Sequence, residues 1–480
     1  MQVHENVAGL MRALGNAVTV NDDGSSVTVG DRGAVQGELM DTLAWNAAFG
    51  QNGVKEVAIW LIRAIGEQVG VVPASIHDYY MAAGRGEFSG VTVPACNIRG
   101  MTYDSSRAAR RAAQSLDAKA LIYEIARSEL GYTGQGPAEF AAQVIAASIR
   151  EGYEGPVFIQ GDHVQVNAKN YAKDPDAEIA GMHALIKDEL AAGFYNIDID
   201  TSTLVDLTHE SLDAQQNTNY TLAASLTHYI RGLQFADLTV SVGGEIGEVG
   251  KKNSTIEELH AFMQGYERAL KMLNPNHVGI SKISVQTGTS HGGVVLPDGT
   301  VAKVNVDFDT LGTLSHVAQE EYHIGGAVQH GASTLPKEAF NEFSKANAIE
   351  VHLATGFQNL IFDHPALPAD LKEQVYTWLR ENRQEERTPE MTDEQFYYTT
   401  RKRGFGAPGI KEAWWNMPAD SKNAIMTDLQ EEFRVIFDRL GIAGTAAKID
   451  ETVRPVKSAQ PMPESMRTMA CKGEGLRTED

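Results

Sequence analysis

The stretch PVFIQGDH, residues 156–163, runs from apolar residues into a polar turn that ends on Asp162 and His163. A short β-branched and aromatic run bounded by Pro and Gly is typical of a buried strand. The segment AEIAGMHALIKDELAAGF at 177–194 follows it with helical spacing and a Gly stop. This strand–turn–helix unit decides the fold, because the same unit recurs along the chain.

Eight such strand-like runs occur from about residue 90 onward. They are VTVPACN (91–97), ALIYEIA (120–126), PVFIQGDH (156–163), FYNIDID (194–200), LTVSVGGE (238–245), ISKISVQTG (280–288), GAVQHG (326–331) and AIEVHLAT (348–355). An open doubly wound sheet more commonly uses about five or six strands. Eight strands alternating with helices predict an α/β fold of the (β/α)8 TIM-barrel class.

The residues outside these units predict helical additions at both ends. We expect an N-terminal helical extension over 1–88, a catalytic barrel over 89–365, a C-terminal helical appendage over 366–455 and a flexible tail over 456–480. The appendage carries the basic run Arg401-Lys402-Arg403. This run is either a solvated turn or a group that reaches the substrate mouth of a neighbouring subunit.

Composition excludes several classes of protein. With 41 Lys and Arg against 63 Asp and Glu, the formal net charge is −22, which argues against nucleic acid or an anionic membrane as a partner. The two cysteines are too few for a disulfide scaffold or a cysteine-built zinc site. No apolar run approaches the roughly 20 residues that cross a bilayer, and the N-terminus does not resemble a signal peptide. We therefore expect a cytoplasmic protein.

Polar residues collect at the predicted carboxyl ends of the strands, where barrel enzymes place their reactive groups. His163, His291 and His330 end three different strands, and three imidazoles at one mouth suit a zinc ion with one open position. The alternative is that each histidine only caps its strand. Asp162, Asp200, Ser202 and Glu245 end strands at the same predicted mouth.

Glycines flank two of these histidines. Gly292 and Gly331 allow the backbone to approach a ligand, and the amides beside Ser333 and Thr334 fit an anion nest. A phosphorylated sugar fits such a nest without lysine or arginine. The alternative is a pair of tight strand-to-helix turns.

Six motifs, in order, resemble those of the class II, metal-dependent ketose-bisphosphate aldolases, whose type members cleave fructose and tagatose bisphosphates. FIQGDHVQVN is similar to the family's LHLDHG, GFYNIDIDTS to GFTSVMIDGS, VSVGGEIGEVG to VEAELG, TGTSHGG to GTAHG, NVDFDTLGTL to LDFDRL and QHGAST to LHGGSG. HLAT at 352–355 is similar to the NVAT of the tagatose enzymes. The resemblance spans about 91–365.

The resemblance implies a role for each matching residue. The implied ligands of Zn²⁺, or of another divalent metal, are His163, His291 and His330, with Asp200 and Glu245 as supporting carboxylates. Asp162 is the implied acid/base. The implied substrate and phosphate contacts are Gly292, Gly331, Ser333, Thr355 and His352.

Several positions depart from the family. Gln160 stands where the family has a histidine, His352 replaces the asparagine near the ketose carbonyl, and Ala126 replaces a serine. The resemblance implies zinc-dependent reversible cleavage of fructose 1,6-bisphosphate. The large C-terminal helical appendage makes a homo-oligomer the expectation. Cleavage of tagatose bisphosphate or another ketose phosphate stays an alternative. A second alternative is a non-catalytic accessory subunit, since YTGQGPAEF and IQGDHVQVN also resemble the partners of tagatose-bisphosphate aldolases.

Overall fold

The structure is a computed structural model that describes residues 3–21, 24, 26–247, 252–288, 296, 305–458 and 460–471. Its strands are β1 Val18–Val20, β2 Val27–Val29, β3 Val71–Ala74, β4 Val93–Asn97, β5 Ile122–Ala126, β6 Gly155–Gln165, β7 Asn196–Asp200, β8 Ser241–Glu245, β9 Lys282–Ser284, β10 Ala327–Gln329 and β11 Glu350–Leu353. All eight predicted barrel strands are present.

The α-helices alternate with these strands and extend beyond them. They are α1 Val7–Leu14, α2 Arg32–Val35, α3 Glu38–Phe49, α4 Val54–Val69, α5 His77–Gly84, α6 Thr102–Ser115, α7 Arg127–Thr133, α8 Pro137–Arg150, α9 Ala168–Lys173, α10 Pro175–Ala192, α11 Leu212–Leu233, α12 Ile256–Leu273, α13 Phe308–Tyr322, α14 Phe340–Lys345, α15 Thr355–Asp363, α16 Ala369–Asn382, α17 Asp393–Thr400, α18 Ile410–Trp415, α19 Ala419–Arg439, α20 Ala446–Thr452 and α21 Glu464–Cys471. Short 3-10 segments cover Ser202–Leu204, Lys337–Ala339, Gln384–Glu386 and Arg401–Phe405. None of these helices combines the length and the apolar character needed to span a membrane.

Eight parallel strands close into a barrel, which confirms the predicted fold. The order is β4, β5, β6, β7, β8, β9, β10 and β11, and β11 pairs with β4 to complete the circle. Closure leaves no exposed edge among the eight strands. The carboxyl ends of all eight therefore face one mouth.

A ninth parallel strand lies at the opposite end of the barrel. β3 pairs with the first four residues of β6, while β7 pairs with β6 from Gln160 onward. The buried side chain of Asn196 joins the three strands, since it donates to the carbonyls of Ala74 and Ile159 and accepts from the amide of Ile76. The predicted N-terminal helical extension therefore also contributes a strand to the sheet.

The C-terminal appendage packs on the N-terminal extension and on a barrel helix through aromatic side chains. Trp415 contacts Trp45 of α3 at 5.8 Å between ring centroids and stacks on Tyr103 of α6 at 6.2 Å. Beyond it, α21 buries Met466, and Trp60 donates a hydrogen bond to the carbonyl of Gln460. The predicted tail thus carries a helix up to residue 471, and residues 472–480 lie outside the described part.

Candidate active site

A cavity of about 740 Å³ opens at the carboxyl ends of the barrel strands. Seven of the residues predicted to act at the site line it, namely Asp162, His163, His330, Gly331, Ser333, His352 and Thr355. Asp200 and Glu245 lie behind His163 and contact its ring. His291 and Gly292 lie outside the described residues, so their predicted roles remain predictions.

A β-bulge in β6 brings two consecutive side chains to this cavity. Gly161 pairs with Ile197 and Val164 with Ile199, so two residues of β6 stand opposite one residue of β7. The extra residue gives His163 a φ of 41°, in the left-handed region. Bulges re-aim side chains next to active sites, and this one lets Asp162 and His163 line the same cavity.

Three carboxylates surround the ring of His163. Nδ1 lies 3.3 Å from Oδ2 of Asp200 and 3.6 Å from Oε2 of Glu245, and Nε2 lies 3.7 Å from Oδ1 of Asp162. Burial opposes protonation of the ring, but these carboxylates raise the pKa of His163 well above its usual value. The surroundings therefore favour a positive charge at this point.

A second imidazole completes a group of possible metal ligands. The ring of His330 lies 4.3 Å from that of His163 between centroids, and its Nε2 lies 2.9 Å from Oγ of Ser284. The candidate ligand atoms of Asp162, His163 and His330 all fall within 4.8 Å of one another. Imidazole nitrogens with a carboxylate oxygen are a donor set that suits zinc. The described residues thus fit a divalent metal.

The segment after β10 forms the other wall of the cavity. Gly331 adopts a φ of 73°, which favours glycine, and the chain then turns so that Oγ of Ser333 accepts from the amide of Thr355. Thr355 begins α15, whose N-terminus carries partial positive charge. Hydroxyl and amide groups therefore converge at the place predicted to hold phosphate.

His352 lies on the cavity floor between carboxylates. Its Nδ1 is 3.0 Å from Oε2 of Glu124 and 3.2 Å from Oδ1 of Asp162, and its Nε2 is 2.7 Å from Oε1 of Glu350. Burial lowers the tendency of the ring to protonate, yet Glu124 and the other carboxylates raise the pKa of His352 well above its usual value. The predicted substrate contact is thus also part of a charged cluster.

At and beneath the cavity floor lies a cluster of polar side chains that sequence reasoning did not predict, which we call the interior layer. It consists of Glu124, Gln160, Asp198, Lys282 and Glu350. Nζ of Lys282 contacts Asp198 at 2.9 Å, Glu350 at 2.5 Å and Gln160 at 2.8 Å. Gln160 and Glu350 stand two residues before the site residues Asp162 and His352, and the other three members stand two residues before the ends of β5, β7 and β9. This two-residue spacing was the signal in the sequence.

Lys402 was also missed as a site residue. Arg401 pairs with Asp363 and Arg403 with Glu386, whereas Lys402 lines the cavity of its own chain. Burial, and then the nearby Arg99, lowers the pKa of Lys402. The basic run is therefore not only a solvated turn, and one of its cations faces the candidate site.

Comparisons with known proteins agree with this geometry. A family model described as fructose-bisphosphate aldolase class-II matches residues 81–399. A search of curated proteins finds no match.

Solved structures resemble the chain at low sequence identity. A probable tagatose 6 phosphate kinase from Sinorhizobium meliloti 1021 is 17% identical, with 79% of this chain and 98% of that chain covered and a TM-score of 0.50. The fructose-bisphosphate aldolase (Fba) from Campylobacter jejuni is 19% identical, with 78% and 97% covered and a TM-score of 0.46. The YdjI aldolase from Escherichia coli K12 is 12% identical, with 78% and 99% covered and a TM-score of 0.45.

Proposed function

Because the chain belongs to the class-II fructose-bisphosphate aldolase family, we propose that it reversibly cleaves fructose 1,6-bisphosphate to dihydroxyacetone phosphate and glyceraldehyde 3-phosphate. The observation that carries the proposal is the convergence of Asp162, His163 and His330 at one cavity, with their candidate ligand atoms within 4.8 Å. A cavity of about 740 Å³ is large enough for a sugar bisphosphate.

His163 and His330 would hold a zinc ion or a similar divalent cation, with His291 as the third ligand by family resemblance. When bound, the cation supplies a Lewis acid that polarises the ketone of the substrate. Asp200 lies 3.3 Å from the second ring nitrogen of His163, and a carboxylate in that position orients a ligating ring. Glu245 supports the same ring from 3.6 Å.

Asp162 would exchange a proton with the C4 hydroxyl of the substrate. Its carboxylate lines the cavity next to both rings, and Nδ2 of Asn97 donates to its Oδ2 at 3.2 Å. This hydrogen bond fixes the orientation of the carboxylate, which general acid–base catalysis requires. Removal of the carboxylate should therefore lower turnover more than it changes substrate binding.

Phosphate groups would bind at the two sides of the cavity. Gly331, Ser333 and Thr355 supply amide and hydroxyl donors on one side, together with Gly292 by family resemblance. Lys402 supplies a cation from the appendage on the cavity wall. Anions bind well to helix N-termini and backbone amides, so this acidic protein needs few basic residues for a doubly phosphorylated substrate.

The test measures metal content and cleavage of fructose 1,6-bisphosphate in the same preparations. We expect at least one equivalent of divalent metal per chain and turnover that a chelator abolishes. His163→Ala should lose this metal and lower kcat by about 10³-fold or more, since the metal carries most of the electrostatic stabilisation. His183→Ala, on α10 outside the cavity, is the matched control and should retain both.

Two results would replace this proposal by its alternatives. Faster cleavage of tagatose 1,6-bisphosphate than of the fructose isomer would assign the tagatose substrate, a choice on which His352 bears because it replaces the family's asparagine. Absence of turnover on every ketose phosphate, with metal bound or not, would assign the role of an accessory subunit. Full activity in the His163→Ala variant would contradict the proposed metal site itself.

A further inference from the structure

His352 stands between Asp162 at the cavity and Glu350 in the interior layer. Its Nδ1 lies 3.2 Å from Oδ1 of Asp162, and its Nε2 lies 2.7 Å from Oε1 of Glu350. Nδ1 is also hydrogen-bonded to Oε1 of Glu124 at 3.1 Å. Both ring nitrogens of His352 therefore contact carboxylates of the chain itself.

Glu350 is itself held by three buried side chains. Its carboxylate contacts Nζ of Lys282 at 2.5 Å, accepts a hydrogen bond from Nε2 of Gln160 at 2.8 Å and accepts another from the hydroxyl of Tyr80. These three residues are each no more than 1% exposed. Side chains that are fixed by packing and by further polar contacts hold the groups that they touch in one orientation. Glu350 is therefore a rigid partner for the ring of His352.

The carboxylate of Asp162 has a nitrogen close to each of its two oxygens. Nδ2 of Asn97 donates to Oδ2 at 3.2 Å, and Nδ1 of His352 lies 3.2 Å from Oδ1. Each carboxylate oxygen can accept more than one hydrogen bond, so Asp162 can still exchange a proton with a substrate hydroxyl. A reacting group that is displaced by about 1 Å can lose about 10²-fold in rate. The contact with His352 therefore bears on turnover.

We propose that His352 is a positioning residue for Asp162, and that Glu350 fixes the ring of His352 through its contact with Nε2. This role rests on the proposed function, in which Asp162 is the acid/base. Tyr80, which donates to Glu350, belongs to α5 in the N-terminal extension. The extension therefore supports turnover through residues that do not touch the substrate.

The first experiment measures kcat and KM for fructose 1,6-bisphosphate in Glu350→Gln. This variant keeps the shape of the side chain and removes the charge that faces Nε2 of His352. We expect kcat to fall about 10²-fold, with KM and the metal content unchanged, because the orientation of Asp162 and not substrate binding is altered. In Lys282→Met with Glu350→Gln, the counter-charge of Glu350 is removed as well. The kcat of this double variant should stay low, even where its free energy of unfolding recovers.

A second variant and a crystal structure test the same role without relying on one substitution. Tyr80→Phe removes only the hydroxyl that donates to Glu350, and it should lower kcat in the same direction by a smaller factor. Crystal structures of the wild type and of Glu350→Gln should show the ring of His352 rotated and the carboxylate of Asp162 displaced in the variant. Glu139→Gln is the matched control and should change neither kcat nor these positions. Glu139 is likewise a buried glutamate that pairs with lysines, Lys55 and Lys411, at 2.6 Å each, but it does not line the cavity.

The outcomes separate the positioning role from the proposed function. Wild-type kcat in both Glu350→Gln and Tyr80→Phe overturns the positioning role and leaves the proposed function standing. Recovery of kcat in the double variant, or a rise in KM alone, also overturns it, because Glu350 then acts on stability or on substrate binding. Absence of turnover in the wild type overturns the proposed function, and the crystal structures then decide whether Glu350 positions His352 and Asp162. If Glu350→Gln fails to fold, the double variant and Tyr80→Phe decide.

Discussion

The barrel contains two stacked sets of polar residues that differ in what they face. At the mouth, Asp162 and His330 line a cavity open to ligands. Two residues deeper, Glu124 at the cavity floor and Lys282 and Glu350 beneath it are each no more than 1% exposed and contact one another or His352. Barrels of this class usually fill that depth with branched apolar side chains. In this barrel, charged side chains therefore occupy a depth at which apolar side chains would have been enough for stability.

His352 is the side chain that joins the two sets. Its ring contacts His330 at the mouth and lies within 3.5 Å of Glu124, Asp198 and Glu350 below. Burial, and then Asp162, raises the pKa of Glu124 to about 8. Burial acts in the same direction on Glu350, but Lys282 and His352 together outweigh it and lower the pKa of Glu350 to about 2. The pKa values of these two buried glutamates are therefore shifted in opposite directions, and Glu350 is the one of the two that contacts Lys282.

Lys282→Met would break the interior layer and should have the largest effect. Nζ of Lys282 pairs with Asp198 and Glu350, and removal of one partner leaves buried carboxylates without a counter-charge. We expect the free energy of unfolding to fall by about 3 to 5 kcal/mol in urea denaturation. Lys282→Met with Glu350→Gln should recover part of that loss. A change below about 1 kcal/mol in the single variant would contradict an ionised layer.

Glu189→Gln tests what burial does to a carboxylate that has no counter-charge. Neither carboxylate oxygen of Glu189 has a hydrogen-bond partner among the described residues, and burial raises its pKa to about 8. The folded state therefore holds a proton that the unfolded chain releases near pH 4.3. The free energy of unfolding of the wild-type protein should therefore decline between pH 5 and pH 8, because over that range the unfolded chain has released this proton while the folded state retains it.

The glutamine variant should lack this decline. Its free energy of unfolding should match that of the wild type near pH 5 and exceed it by about 3 kcal/mol near pH 8, measured by urea denaturation at each pH. Parallel pH profiles of the two proteins would mean that Glu189 stays charged in the fold, which its surroundings disfavour.

Gly243→Ala tests the space that the Asp198–Lys282 pair needs. A Cβ at position 243 would lie 2.4 Å from Oδ1 of Asp198 and 3.0 Å from Cε of Lys282. Overpacking of this kind costs about 1 to 3 kcal/mol, which thermal and urea unfolding should report. Gly232→Ala in α11 is the matched control, since its Cβ would meet no atom within 4 Å. Equal free energies of unfolding of the two variants would show that the Asp198–Lys282 pair can move aside for the added methyl group without loss of stability.

The fold and the mouth were predictable from the sequence, whereas the interior layer was not. Alternating apolar runs and turns predict the eight strands, and polar residues at the strand ends predict where Asp162, His163 and His330 converge. The two-residue spacing also places Gln160 and Lys282 inside the barrel, but a lone polar residue within an apolar strand equally fits an outward position. Only the closed barrel brings Lys282 within 2.5 Å of Glu350, 68 residues away.

Two further features depended on contacts that sequence patterns do not encode. The bulge between Gly161 and Val164 arises from pairing with β7, and without it Asp162 and His163 would point to opposite sides of β6. Lys402 reaches the cavity because the appendage folds back on the barrel. The sequence indicates the basic run but not which of its three cations remains available to a ligand.

Lys402→Met tests the contribution of the appendage to the mouth. We expect KM for fructose 1,6-bisphosphate to rise about tenfold, equivalent to about 1.4 kcal/mol, with a smaller change in kcat, because the cation would act on a phosphate and not on the reacting carbons. Lys345→Met on α14, whose side chain is 61% exposed, is the matched control and should leave KM unchanged.

KM should also depend on pH through the charge of Lys402. A lysine is positive below its pKa, and burial, followed by Arg99, lowers the pKa of Lys402. Lys402 therefore becomes neutral at a lower pH than an exposed lysine does. As a result, KM of the wild-type protein should rise as the pH becomes alkaline. Lys402→Arg keeps its charge over this range and should remove the rise. If KM of the arginine variant still rises at alkaline pH, the rise comes from a group other than Lys402. The appendage would then have no role in binding the substrate through this cation.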